Sequence, residues 1–191
     1  MRKGGQKAKS NAHQRRVAGI FTLAYYPAGE GLFKSTPGSG GWDKRAAPGD
    51  IIAFKYVSKE KDQMVIDETF PMTIECKDWK DENVKHFFSG LYSDESQLFG
   101  WMEQSLGDSF WVKKVPIVVF KLYRTENVAM VMSTDFQQLA KMFGNFVGKI
   151  YRLGRTREKG FKADGIGTLV FVLLKDFIQW IDWEIYKKGV C

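Results

Sequence analysis

The stretch Phe70–Lys80, FPMTIECKDWK, decides how this chain folds. It alternates like a half-buried strand: Phe70, Met72, Ile74 and Cys76 share one face, and Thr73, Glu75 and Lys77 share the other. The apolar face goes to a core. A carboxylate and an ammonium are thereby held side by side at a strand end, where only solubilising residues are expected. An acid two places before a lysine is a weak signal by itself, and Asp78-Trp79-Lys80 repeats it three residues on. Position gives the first copy its weight. One strand earlier comes the glycine- and proline-rich loop STPGSGGWDKRAAPGD, 35–50, which excludes regular structure and runs directly into the strand DIIAFKYV, 50–57.

Working outward, Val17, Ile20, Phe21 and Ala24 recur at helical spacing, so a helix is predicted over 10–25, ended by Pro27 and Gly29. Ahead of it, Arg2, Lys3, Lys7, Lys9, Arg15 and Arg16 all precede the first acidic residue, Glu30, and form a basic N-terminal arm. A polar stretch, 58–68, turns the chain into the opening strand. After it, a helix over 95–106 puts Leu98, Trp101, Met102 and Ser105 on one face, with Gly107 expected to stop it. VPIVVFKLYR, 115–124, and VAMVMS, 128–133, read as strands around a polar turn. The helix TDFQQLAKMF, 134–143, is expected to be capped by Thr134 or Asp135. LVFVLLKDFIQW, 169–180, then echoes VAMVMSTDFQQL, 128–139, as a second strand-to-helix unit. The order predicts an α/β fold with a central mixed β-sheet flanked by helices. Residues 1–143 form the core with its basic arm, and 144–191 a C-terminal strand–helix extension packed on the same domain.

A chain of 191 residues, 44% hydrophobic and 15% aromatic, can bury a sizeable core. Its net charge of +7 points to a polyanionic partner, most commonly nucleic acid. Cys76 and Cys191 lie too far apart in sequence and context for a disulfide framework, which fits a reducing compartment. The basic head is not followed by a secretory core, and the longest apolar run, 169–174, is too short to cross a bilayer. A soluble cytoplasmic protein is expected. Gly38–Gly41 lacks the ending of a nucleotide-binding loop, and His13 and His86 lack ligand-spaced companions, so each reads as a surface or helix residue. KIYRLGRTREKGFK, 149–162, reads equally as a hairpin gripping a DNA backbone or as a solvated charged turn. Phe177, Trp180, Ile181 and Trp183 read as core or as a dimer interface, and Cys76 as packing.

Carboxylates on neighbouring strands, here Asp50 and Glu75, suit a hard divalent cation that takes oxygen ligands, and a lysine beside them can stabilise charge growing on a phosphate. The helix with Q-R-R-V-A (14–18), the loop G-S-G-G-W (38–42), P-G-D-I (48–51) and F-P-M-T-I-E-C-K (70–77) together resemble the PD-(D/E)XK nuclease superfamily. More narrowly, they look like phage-encoded endonucleases near the archaeal-type Holliday junction resolvases, with a restriction-endonuclease-like core. The resemblance implies that Asp50 and Glu75 bind Mg²⁺ or Mn²⁺ with the Cys76 backbone carbonyl, and that Lys77 is the catalytic lysine. It makes Gln104, in Trp101-x-x-Gln104, a secondary site residue, and Gln14 another, where resolvases usually carry a glutamate. An amide there leaves a second metal weakly held. Arg15, Arg16, Lys44, Arg45, Lys80, Arg155 and Arg157 are the expected DNA contacts. The implied activity is a divalent-metal-dependent endodeoxyribonuclease, in its most specific form a homodimeric Holliday junction resolvase acting on branched DNA, or else a repair or genome-processing nuclease. The competing reading is a non-catalytic nucleic-acid-binding or coat protein. The resemblance spans about residues 3–143, and 144–191 carries none of its motifs.

Overall fold

The strand that opened the sequence reading lies inside an eight-stranded sheet. The computed structural model describes residues 4–36, 48–78, 97–121, 126–154 and 167–187. Strand β4 (Met72–Asp78) pairs in parallel along its whole length with β5 (Val115–Lys121), Met72 opposite Val115 and Asp78 opposite Lys121. The connection between them holds helix α2 (Gln97–Ser109), as a parallel pair requires a long crossover. On the other side, β2 (Ile51–Ser58) meets β4 antiparallel at a single register pair, Ile51 with Ile74. It then diverges and pairs with β1 (Gly31–Ser35) on one edge and with β3 (Gln63–Ile66) on the other. Beyond β5 come β6 (Asn127–Met132), then β8 (Thr168–Leu173), then β7 (Tyr151–Gly154), all antiparallel. The order is β1-β2-β4-β5-β6-β8-β7, with β3 beside β2. This is the expected α/β architecture, mixed but mostly antiparallel and flanked by helices.

Both faces of the sheet are covered. Helix α1 (Gly4–Tyr25), α3 (Ser133–Phe143), α4 (Leu174–Trp180) and α5 (Trp183–Lys187) follow the order of the chain. Val17 and Phe21 of α1, Leu139 of α3, Phe177 of α4 and Trp183 of α5 pack with Ile74, Cys76, Ile117 and Val119. On the opposite face, Leu98, Phe99 and Met102 of α2 pack on Val118, Phe120, Met130, Leu169 and Phe171. Strand β5 therefore serves two cores with alternate residues, which is why it reads as an unbroken apolar run. Near α1 the first core is largely aromatic: Tyr25 meets Phe70 edge-on at 5.1 Å and Trp183 at 5.5 Å between ring centroids. Phe177, Ile181 and Trp183 are buried here, and Trp180 packs on Phe136. His13 is buried on α1 rather than at the surface.

Several local expectations need correction. Helix α1 begins at Gly4, so much of the basic arm is helical; its lysines, glutamine and alanine are strong helix formers. Gly107 does not end α2, which continues to Ser109, where the serine hydroxyl donates to the Leu106 carbonyl. Neither Thr134 nor Asp135 caps α3: the strand runs straight into the helix, extended Met132 takes the cap position, and no side chain bonds there. Strands β1, β3 and β7 were not foreseen, being four or five residues long with mixed patterns. Residues beyond 143 enter the same sheet, since β8 pairs with β6. Among the described residues, no helix is long and apolar enough to cross a membrane.

Candidate active site

The site forms where β2 and β4 part. Gly49 turns the chain with φ at +93°, and a Cβ there would lie 2.7 Å from the Ile74 carbonyl oxygen, so only glycine lets the two backbones approach this closely. The next residue, Asp50, is pinned by its backbone: its N–H donates to the Ile74 carbonyl at 2.8 Å and its carbonyl accepts the Thr36 N–H at 2.9 Å. Its carboxylate Oδ2 accepts the Cys76 N–H at 2.9 Å. A side chain thus extends the β2–β4 pairing one step beyond the N-terminal end of β2. Within a strand residue the N–H and C=O point to the same edge, so the Cys76 carbonyl is directed toward Asp50 as well. The Cys76 side chain goes the other way, into the first core, and burial pushes its thiol well above the ordinary range.

Thr73, Glu75 and Lys77 occupy the α2 face of β4, as the alternation required. That face is not open to solvent. Helix α2 covers it, and Glu75 is only 5% exposed. Its Oε1 accepts from Lys77 Nζ at 2.6 Å and from Gln104 Nε2 at 3.0 Å, while Lys77 Nζ also donates to Gln104 Oε1 at 2.9 Å. The three groups close a triangle in which each touches the other two. Burial raises the Glu75 carboxyl above its usual range; the Asp50 charge raises it further, Lys77 opposes this, and Asp108 adds a smaller repulsion. Lys77 retains 20% side-chain exposure, so its ammonium reaches the mouth of the site.

The available donors are two carboxylates and one backbone carbonyl, all hard oxygens, with a thiol held out of reach on the other face. Among the described residues no group of three or more His, Cys, Asp or Glu side chains could hold a metal. Such a sparse oxygen set suits an ion that keeps several of its waters, as Mg²⁺ does. A divalent cation between Asp50 and Glu75 would also offset the repulsion that raises the Glu75 carboxyl.

The structure thus brings Asp50, Glu75, Cys76, Lys77 and Gln104 together. It does not bring Gln14 into this network: that residue is half-buried on α1, which packs on the sheet face opposite α2. Arg15 and Arg16 are exposed on the same helix. Lys44, Arg45, Lys80, Arg155 and Arg157 lie outside the described residues, as does His86. Asp108 was not singled out from sequence; its signal was the four-residue spacing from Gln104 on one helix.

The family model described as phage putative PDDEXK endonuclease matches residues 5–177. The chain belongs to that family. The match runs past Phe143 through β7 and β8 into α4, so the tail that carried no recognisable motif is part of the family's own pattern. No curated protein and no solved structure matches the chain.

Proposed function

We propose that this member of the family is a divalent-metal-dependent DNA endonuclease that hydrolyses phosphodiester bonds at the Asp50–Glu75–Lys77 site. The observation that carries the reading is the junction of β2 and β4, where Asp50 grips the Cys76 amide while Glu75, Lys77 and Gln104 form a closed hydrogen-bonded triangle. A packing-only sheet gives no reason to bury Glu75 beside a second carboxylate, a cost that burial without chemistry would not sustain.

Asp50, Glu75 and the Cys76 carbonyl would hold the ion, which when bound supplies Lewis acidity toward the phosphate and acidifies a bound water. Lys77 directs its N–H donors at the place where negative charge grows on the phosphoryl oxygens. Gln104 fixes both partners of the Glu75–Lys77 pair, holding the ammonium at the mouth. The basic excess, +7 over the chain, draws the polyanion in. The products would carry 5′-phosphate and 3′-hydroxyl ends.

In its most specific form the proposal is a Holliday junction resolvase working as a homodimer, supported by the family's order of elements and by the need for two symmetric cuts. The test is incubation with a labelled four-way junction, a linear duplex and a single strand, each with Mg²⁺, Mn²⁺ or EDTA. Paired metal-dependent nicks on the junction alone are expected. Cutting of all three would keep the endonuclease and remove the junction preference. Salt-sensitive binding with no cutting under either metal would overturn both in favour of a non-catalytic binder.

A further inference from the structure

Helix α2, which brings Gln104 into the site, is followed directly by two consecutive large aromatics that the sheet does not use. Phe110 is 74% and Trp111 70% exposed, and neither joins either core, although Trp101 and Leu106 of the same helix pack on the second one. Their rings meet edge to face at 5.4 Å. The turn that mounts them is tied down. The Phe110 N–H donates to the Leu106 carbonyl at 2.9 Å, the Val112 N–H donates to the Ser109 carbonyl at 3.1 Å, and Lys113 completes the turn with φ at +53°. A tied turn presenting two bare rings, followed by the exposed Lys113, is pre-organised for a flat apolar ligand that carries negative charge beside it.

We infer that Phe110 and Trp111 form a stacking platform for an unpaired nucleobase of the DNA substrate, close to the cut. The inference rests on the endonuclease reading above. Six residue steps lead from Gln104 to Phe110, just past the last helical residue, about 9 Å along the axis at the helical rise. A stacked DNA strand advances about 3.4 Å per nucleotide, so the rings reach bases two or three steps from a phosphate held at Lys77. Inside an intact duplex those bases already stack on their neighbours and offer no free face. The ligand is therefore a base released from pairing, at a flap, a gap or the centre of a branch, and the cationic turn takes the adjoining phosphate. The platform would select substrates by local unpairing rather than by sequence, since every base has a π-face.

The test measures binding of the full chain in EDTA, so that cutting plays no part. One probe is a duplex with a short single-stranded flap containing 2-aminopurine at its base; the other is the fully paired duplex of the same length. The doubly substituted Phe110→Ala/Trp111→Ala protein should bind the flap roughly 5- to 150-fold more weakly and lose the quenching of 2-aminopurine that stacking produces, with paired-duplex affinity within about 2-fold. Trp111→Tyr should keep most of the quenching. Equal losses on both probes, or no loss on the flap, would overturn the platform. So would sedimentation showing a dimer of the free protein that the double substitution dissolves, because the rings would then belong to a second copy. Quenching by a protein that cuts nothing with Mg²⁺ or Mn²⁺ would leave the platform standing and remove the endonuclease; metal-dependent cutting with unchanged flap binding would do the reverse.

Discussion

Replacing Gly49 by alanine should damage both stability and cleavage, by an amount the geometry sets. The added Cβ would sit 2.7 Å from the Ile74 carbonyl oxygen, about 0.7 Å inside ordinary contact, and that oxygen cannot retreat because it already accepts the Asp50 N–H at 2.8 Å. A side chain at φ +93° adds backbone strain of roughly 1–3 kcal/mol. The cheapest relief is to move the 48–50 turn outward, which stretches the 2.9 Å bond from Cys76 N–H to Asp50 and leaves a poorly paired amide worth about 1–3 kcal/mol. Together these predict a loss of about 2–6 kcal/mol, or a fall in Tm of roughly 4–24 °C for a chain of this size. If Asp50 holds the metal as proposed, a displacement approaching 1 Å of its carboxylate should also cost about 100-fold in turnover at saturating metal. Calorimetry and a timed nicking assay measure the two effects. Gly144 supplies the control: its φ is +81°, but nothing lies within 4 Å of its would-be Cβ, so Gly144→Ala should lose some stability and leave cleavage intact. If Gly49→Ala kept its Tm within about 2 °C and its turnover within about 3-fold, the account of how Asp50 is delivered would be wrong.

Lys77→Ala should abolish cleavage while DNA affinity in EDTA changes little; parallel loss of both, seen by gel shift and nicking assays, would remove its catalytic role. Glu75→Gln should abolish cleavage yet raise the Tm of the metal-free protein at neutral pH. Because burial and Asp50 raise the Glu75 carboxyl, the stability it permits is greatest below its unfolded pKa and is lost as pH rises through its folded pKa. The variant's advantage should therefore shrink toward acid pH in a Tm series, and an advantage largest in acid would contradict the burial argument. Gln104→Ala leaves the Glu75–Lys77 pair but removes the ammonium's second partner, so cleavage should drop about 10- to 100-fold with the metal still bound, as titration with Mn²⁺ can check.

Much of this was legible in the sequence because β4 declares its two faces by alternation and β5 declares two cores by having none. The shorter strands were hidden for a physical reason. Gln63–Ile66 and Tyr151–Gly154 are both exposed or half-exposed throughout, which leaves little hydrophobic pattern for a strand that its neighbour's hydrogen bonds define. Helix α2 passed through Gly107 because a glycine costs only about 1 kcal/mol there, less than Leu98, Phe99 and Met102 contribute by burial upstream. At the site, spacing indicated which face of β4 Glu75 and Lys77 would share. It gave no sign that α2 would close over them, since contacts 29 and 27 residues apart are set by the crossover and not by local pattern.

That closure ties the fate of one helix to one strand. The Gln104 side chain is exposed, but its backbone sits between Met102, wholly buried, and Ser105, 1% exposed, so that backbone cannot leave the site unless the helix lifts off Val118 and Phe120. Opening of α2 and exposure of the Glu75–Lys77 pair on β4 become one event with one free energy. In hydrogen exchange, the amides of 102–105 and 74–77 should then open together, and an ion gripping Asp50 and Glu75 should slow the exchange of a helix it never touches.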